Sequence, residues 1–369
     1  FGDISIDTPR VPGTTDQVDV EVNATERLSG SIRAGVGFGS DQGVILNFGV
    51  QQDNVFGSGD RAEFVANSDD SDTVYRVSYL ERNHTLSGID RQWALSFRDR
   101  DADEADLADY GVRTVLASYG YRIPVTNNVR VGVDLEFDDV ALDFAAPTAL
   151  QSQFEENNGT GNQVIRTNLS LTRDTRNRAV FPSRGTRQQG RAEVSIPGSE
   201  LEYYRLTYNQ SSYFALNERF TLVLDGSLAY GDAFGDTDRL PFYENFYAGG
   251  ISTLRGFERN SLGPTDENED PTGGNFRALG RAEIRFPIAQ DDEGNNLRMS
   301  TFLDAGQVWD LEAAGADGDI SVSDLRYSAG LGLIYYSPIG PLTMSFAQPL
   351  NEEAGDKTQS FQFTIGAFF

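Results

Sequence analysis

The chain has 369 residues with 30 basic against 56 acidic side chains, a formal net charge of −26. A surface that binds nucleic-acid phosphates needs clustered Lys and Arg, so that class of partner is excluded. With no cysteine there are no disulfides, thiolate nucleophiles or Cys-ligated metals, and no run approaches the ~18 consecutive apolar residues of a membrane-crossing helix.

A strand facing lipid needs an apolar residue only at alternate positions, so a hydrophobic content of 38% leaves a membrane barrel open. Residues 1–26 hold a Pro12-Gly13 turn, then Val18, Val20 and Val22 alternating with Asp19, Glu21 and Asn23. This reads as the end of a soluble domain preceding a second unit, 27–369. From there the dominant signal has period two. Ile32, Ala34, Val36 and Phe38 alternate with Arg33, Gly35, Gly37 and Gly39, and Val44, Leu46, Phe48 and Val50 follow. Val129 to Phe137 alternates with Arg130, Gly132, Asp134, Glu136 and Asp138, and Ile165 to Leu171 repeats the theme. One face is apolar while the other carries charges and glycine, the reverse of a soluble sandwich.

The pattern predicts strands near 31–39, 43–52, 60–67, 74–80, 91–98, 111–122, 129–138, 164–173, 187–196, 203–214, 219–230, 275–286, 297–309, 325–336, 341–348 and 359–368. That is an all-β fold, a transmembrane antiparallel β-barrel of about 16 strands, an even number as single-chain bacterial barrels have. Connections alternate in length. Pro124–Asn128 and Ser337–Pro341 are tight, as periplasmic turns are, whereas 99–109, 139–163, 231–274 and 310–324 are long and acidic, as extracellular loops are.

Other features carry less. Gly35-Val36-Gly37-Phe38-Gly39 sits inside strand alternation with no helix following, which fails the context of a phosphate-binding loop. His84, the sole histidine, falls in a turn and reads as a loop residue, not a catalyst. The acids of 99–109 and Asp266–Asp270 lack the spacing of a calcium loop and read as solvated, so neither a metal nor a cofactor is expected.

The segment Tyr247–Pro264, YAGGISTLRGFERNSLGP, resembles the sixth extracellular loop of the BamA family, with Leu254, Arg255, Gly256 and Phe257 as its hallmark. GGNFRALGRAEIRFP, STFLDAGQVWD, YSAGLGLIYYSPIGPLTMSFAQPL and the terminal FQFTIGAFF are also similar to that family, as are residues 1–27 and 51–59. The likeness covers the whole chain, most weakly 81–163. It implies that 1–26 is the remnant of the last POTRA domain and that loop six, about 231–274, folds into the lumen. There Arg255 meets Glu283 and Asp304, which strand parity puts on lumen-facing positions. It also implies a weak seam between the first strand (Ile32, Ala34, Val36, Phe38) and the last (Phe361, Phe363, Ile365, Phe369), with Gly366 as a kink. The implied function is a non-enzymatic insertase of a Gram-negative outer membrane. Its partners would be unfolded β-barrel precursors, accessory assembly lipoproteins, the bilayer and lipopolysaccharide. Alternatives are a TamA-like factor or two-partner-secretion transporter of the same superfamily, or a passive porin channel.

Overall fold

The structure is a computed structural model that describes residues 3–25, 28–101, 110–288, 297–312, 320–337, 340–353 and 355–366. Sixteen strands form one closed antiparallel barrel in which each pairs with its chain neighbours. They are β1 (Gly30–Gly39), β2 (Gly43–Asp53), β3 (Arg61–Ser68), β4 (Asp72–Glu81), β5 (Asp90–Asp101), β6 (Tyr110–Thr126), β7 (Val129–Phe144) and β8 (Gly161–Asp174). The second half comprises β9 (Gly185–Ser195), β10 (Tyr203–Ala215), β11 (Thr221–Ala233), β12 (Phe276–Pro287), β13 (Leu297–Trp309), β14 (Arg326–Ser337), β15 (Gly340–Pro349) and β16 (Phe361–Ile365).

The two faces differ as period two requires. Ile32, Val36, Leu46, Leu135, Leu169 and Leu228 stand exposed on the outside, while Asp134, Glu136, Glu193, Glu283 and Asp304 are buried in the lumen. Such an exterior is stable only against hydrocarbon, and the outward run Val129–Phe137 of β7 has about the 9–11 residues that a tilted strand needs to cross it. Aromatic side chains ring both ends of this band. Tyr79, Trp93, Tyr119 and Tyr121 contact one another in series at 5.6–5.9 Å near the short turns. Tyr204, Tyr230, Phe276 and Trp309 form a second series near the long loops, at 5.5–6.4 Å. Amphipathic rings belong at such interfaces.

The boundaries differ most from the sequence expectation around the 139–163 loop. β7 runs to Phe144 and β8 begins at Gly161, and the helix Ala149–Asn158 fills most of the remainder of the expected 139–163 loop. The reason is a change of polarity. Beyond Asp138 the outward positions are Asp139, Ala141 and Asp143, whereas Val140 and Leu142 point inward. Here the wall has left the hydrocarbon and obeys the rule of a soluble protein. Val140, Leu142, Tyr110, Val112 and Val164 pack with Phe154 of the helix and with Leu240, Phe242 and Tyr243 from the β11–β12 loop. The helix carries a capping box, Thr148 with Gln151, and stops at Gly159.

The closure is the weak point. β1 pairs with β2 over ten residue pairs, but with β16, among the described residues, only at Gly39↔Thr364 and Phe38↔Ile365. Ser40 N–H adds a bond to the Phe363 carbonyl at 2.9 Å. Gly366 follows, with φ +132°. A Cβ on Gly366 would lie 2.3 Å from the Gly37 Cα, and one on Gly37 would lie 2.6 Å from the Ile365 carbonyl oxygen. Ile365 and Gly366 therefore press on the first strand at Gly37, a close approach that only a glycine-for-glycine contact permits. Residues Ala367–Phe369, including the expected seam residue Phe369, lie outside the described residues.

Outside the barrel, Asp3–Asp7 and Glu21–Thr25 form an antiparallel hairpin whose side chains are all exposed.

Replacing Gly366 with Val is expected to detach β16 from β1, costing about 1–3 kcal/mol of local strain. Hydrogen exchange would report it: the Ser40 amide should exchange faster while β7 and β8 amides stay as they were.

Candidate functional site

The site is the seam together with the loop that reaches it. Loop six, residues 234–275 between β11 and β12, enters the lumen, and its motif splits its side chains two ways. Leu254 and Phe257 are fully buried with Ala248, Leu262 and Val308, and Leu279 packs at their edge. Arg255 points the other way, into charge.

The Arg255 guanidinium grips Asp304 bidentately, Nε to Oδ2 and Nη2 to Oδ1, both at 2.7 Å. Glu283 is a lesser partner, its Oε2 lying 3.4 Å from Arg255 Nη1. Its other oxygen receives Arg285 Nε at 2.7 Å. A second guanidinium, Arg281, completes Asp304 at 3.2 Å. Both carboxylates are about 1–2% exposed, so each needs compensation, and two acids held among three arginines provide it. Arg255 also lies over the Phe302 ring, 3.3 Å from its centroid. A planar delocalised cation can serve carboxylate and aromatic face at once, which an ammonium cannot. Gly256, at φ +92°, lets the loop press against β14 and β15, where a Cβ would come within 3.1 Å of the Ala347 side chain.

The sequence reading therefore located Leu254, Arg255, Gly256, Phe257, Glu283 and Asp304, which the structure brings together. It missed Gln362. That buried side chain of β16 donates to the Phe257 carbonyl at 2.8 Å and accepts the Gly256 N–H at 3.3 Å. Gly256–Phe257 also pairs antiparallel with Thr358–Gln359, just before β16. The available signal was parity, since Gln362 interrupts the apolar Phe361/Phe363 alternation with an inward amide. Of the seam residues, Ile32, Ala34 and Val36 lie outward on β1 beyond its pairing with β16, Phe38 is paired with Ile365, and Phe38 and Phe363 rings sit 5.8 Å apart.

A second charged node ties loop six to the opposite wall. Glu244 receives Arg205 at 2.6 Å and the Tyr203 hydroxyl at 3.1 Å, with Arg166 at 3.5 Å. Burial would push the Glu244 carboxyl up, but Arg205 and Arg166 more than offset this and hold it below the usual range. Glu312, just past β13, behaves oppositely. It accepts the Leu240 N–H at 3.0 Å, and burial, aided by the neighbouring Asp232, pushes it up to about 7.

The discounted features take ordinary places. His84 sits in the β4–β5 turn with Nδ1 2.8 Å from Glu81. Asp266 folds its own loop by accepting the Asn268 and Asp270 amides. Among the described residues no group of three or more His, Asp or Glu is placed to hold a metal.

Arg255→Ala should cost about 3 kcal/mol in urea unfolding, because it strands buried carboxylates. Arg191→Ala, which removes an exposed guanidinium from Glu193 while Arg205 stays beside that carboxylate at 3.3 Å, should cost less than about 1 kcal/mol. Arg255→Lys should fall between them. For Glu312 the sign follows from its raised value: the docking of Leu240 is strongest below the ordinary value of 4.5 and weakens as pH rises through about 7. Amide exchange at Leu240 should show that dependence, and Glu312→Gln should flatten it.

The comparisons with known proteins agree with this geometry. The Omp85 superfamily domain matches residues 54–369. The chain is 31% identical to the outer membrane protein assembly factor BamA of Neisseria meningitidis serogroup B, over all of this chain and 51% of that protein. To the BamA of Neorickettsia risticii it is 23% identical over 99% of this chain and 48% of that one. It thus spans about half the length of these relatives. Crystalline BamA from Haemophilus ducreyi lacking POTRA domains 1–3 superposes with a TM-score of 0.91 at 29% identity, covering this whole chain and 75% of that one. CdiB from Acinetobacter baumannii, at 15% identity and a TM-score of 0.61, shares the fold. On its matched domain, its sixteen-stranded wall and its loop-six motif, this chain belongs to the Omp85 superfamily, with its likeness running to the BamA assembly factors.

Proposed function

We propose that this barrel is the membrane part of an insertase that folds β-barrel precursors into the bacterial outer membrane. The observation that carries the reading is the seam, where among the described residues β1 keeps only two residue pairs with β16. Loops lie at the extracellular end and short turns at the periplasmic end. Since β1 starts at a turn end, its stretch before Phe38 faces the periplasmic half of the membrane, and among the described residues no ladder pair joins that stretch to β16. An unpaired strand edge in hydrocarbon costs several kcal/mol, and the readiest way to satisfy it is an added strand. A client strand arriving from the periplasm would supply one. The process involves no covalent chemistry.

In this reading loop six, anchored by Arg255 on Asp304 and Glu283, braces the lumen beside the seam. The N-terminal hairpin belongs to a POTRA domain, because Ile4, Ile6, Val20 and Val22 are more than half exposed and need a cover. Unfolded precursors and accessory lipoproteins would meet that domain, and lipopolysaccharide the outer rim. A passive porin would need an open pore, whereas here loop six and its ion pairs occupy the lumen.

The test is to lock the seam in the full-length protein with Gly39→Cys and Thr364→Cys, which face each other across it. The chain has no other cysteine. Insertion of a precursor into liposomes should fall at least about tenfold when the disulfide forms and return with reductant; a tenfold change corresponds to about 1.4 kcal/mol. Undiminished insertion with the lock confirmed would refute the seam mechanism.

A further inference from the structure

Loop six touches both sides of the seam, not only the wall that holds Arg255. On the last-strand side, Gln362 takes both the Phe257 carbonyl and the Gly256 amide, and the Glu258 amide donates to the Lys357 carbonyl at 3.0 Å. On the first-strand side the partner is the β1–β2 connection. The Ile251 amide donates to the Asp41 carboxylate at 3.0 Å, and Arg259 Nη1 to the Asp41 main-chain carbonyl at 2.7 Å. Arg259 Nη2 continues to the Ser71 hydroxyl at 3.2 Å in the next loop along the barrel. The fit is close: a Cβ on Gly250, at φ +89°, would lie 2.7 Å from the Asp41 carboxylate.

We propose that Asp41, Arg259 and Gln362 are positioning residues of a strap, by which loop six fastens the first and last strands together at their extracellular ends. This rests on the seam reading above. The two β1–β16 residue pairs fall at that same end, at Phe38 and Gly39. The strap and the ladder thus reinforce each other there. A seam fastened at its extracellular end hinges at that end, so a client strand reaches the fastened end last. The contacts differ in kind across the strap. Arg259 brings a charged donor to a neutral carbonyl, and Gln362 pairs amide to amide. Each is a contact strong enough to hold and weak enough to release.

The experiment reads the seam itself. Full-length protein in lipid nanodiscs would carry spin labels in pairs, at Gln42→Cys with Ser360→Cys for the extracellular end, and at Ile32→Cys with Leu342→Cys for the periplasmic end. Arg259→Ala and Gln362→Ala should each raise the open fraction at the extracellular pair about fivefold, and leave the periplasmic pair unchanged. Arg259→Lys, which keeps one donor, should restore part of the closure. Arg259→Gln serves if the alanine variant folds poorly, since heat-modified gel migration reports folding separately. An extracellular distance that does not move overturns the strap. Equal widening of both ends overturns it too, because that is general loosening. Insertion is not the readout, so the strap can stand or fall apart from the insertase reading.

Discussion

An amide in hydrocarbon has no water to bond, so a membrane-spanning strand must find its partners within the protein. Among the described residues fourteen of the sixteen strand interfaces meet that demand along long ladders, β15–β16 meets it over five residue pairs, and β16–β1 over only two. Everything distinctive about the molecule follows from that exception. The glycines at 37 and 366 shape it, loop six stands beside it, and the acidic pocket that receives Arg255 fixes the loop in place. Without the pocket the loop would have no reason to stay in the lumen, since its Leu254 and Phe257 would find apolar cover only after the arginine had been discharged.

Most of the architecture is legible in the sequence because lipid and lumen impose opposite chemistry on adjacent residues. Ile32, Val36 and Phe38 beside Arg33, Gly35 and Gly37 reveal a strand as well as its orientation, and parity alone puts Glu283 and Asp304 inside. Legibility fails where the chain leaves the bilayer. After Asp138 the alternation inverts, so Val140 and Leu142 look like strays in an acidic loop although they form the core of a dome at the long-loop end. The helix that covers them announces itself only through Thr148, Gln151 and Gly159, a local signature that a search for strands passes over.

The site shows a similar division. The arginine motif is compact in sequence and the acids lie on regular strands, so their meeting can be anticipated. The unequal sharing cannot. Which carboxylate takes the bidentate grip depends on the height at which loop six enters the lumen, set by Gly256 against β14 and β15 and by the Phe302 ring beneath the guanidinium. Gln362, Asp41 and Arg259 are polar residues on an edge strand and in loops, where side chains of that kind are common and carry no periodic signal. Their contacts span more than a hundred residues of chain or close to it, and only the folded barrel brings them together.

The wall is not of even height. β6 and β7 have 17 and 16 residues, whereas β1 has ten and β16 five. The added height of β6 and β7 is not membrane height, because beyond Asp138 the outward positions of β7 turn polar. It is a parapet standing clear of the bilayer, and Leu240, Phe242 and Tyr243 of loop six lean on it. The same loop thus rests its far end on the tallest part of the wall while its motif stands beside the lowest, so load on the one loose joint is carried across the lumen to the side with the most ladder bonds.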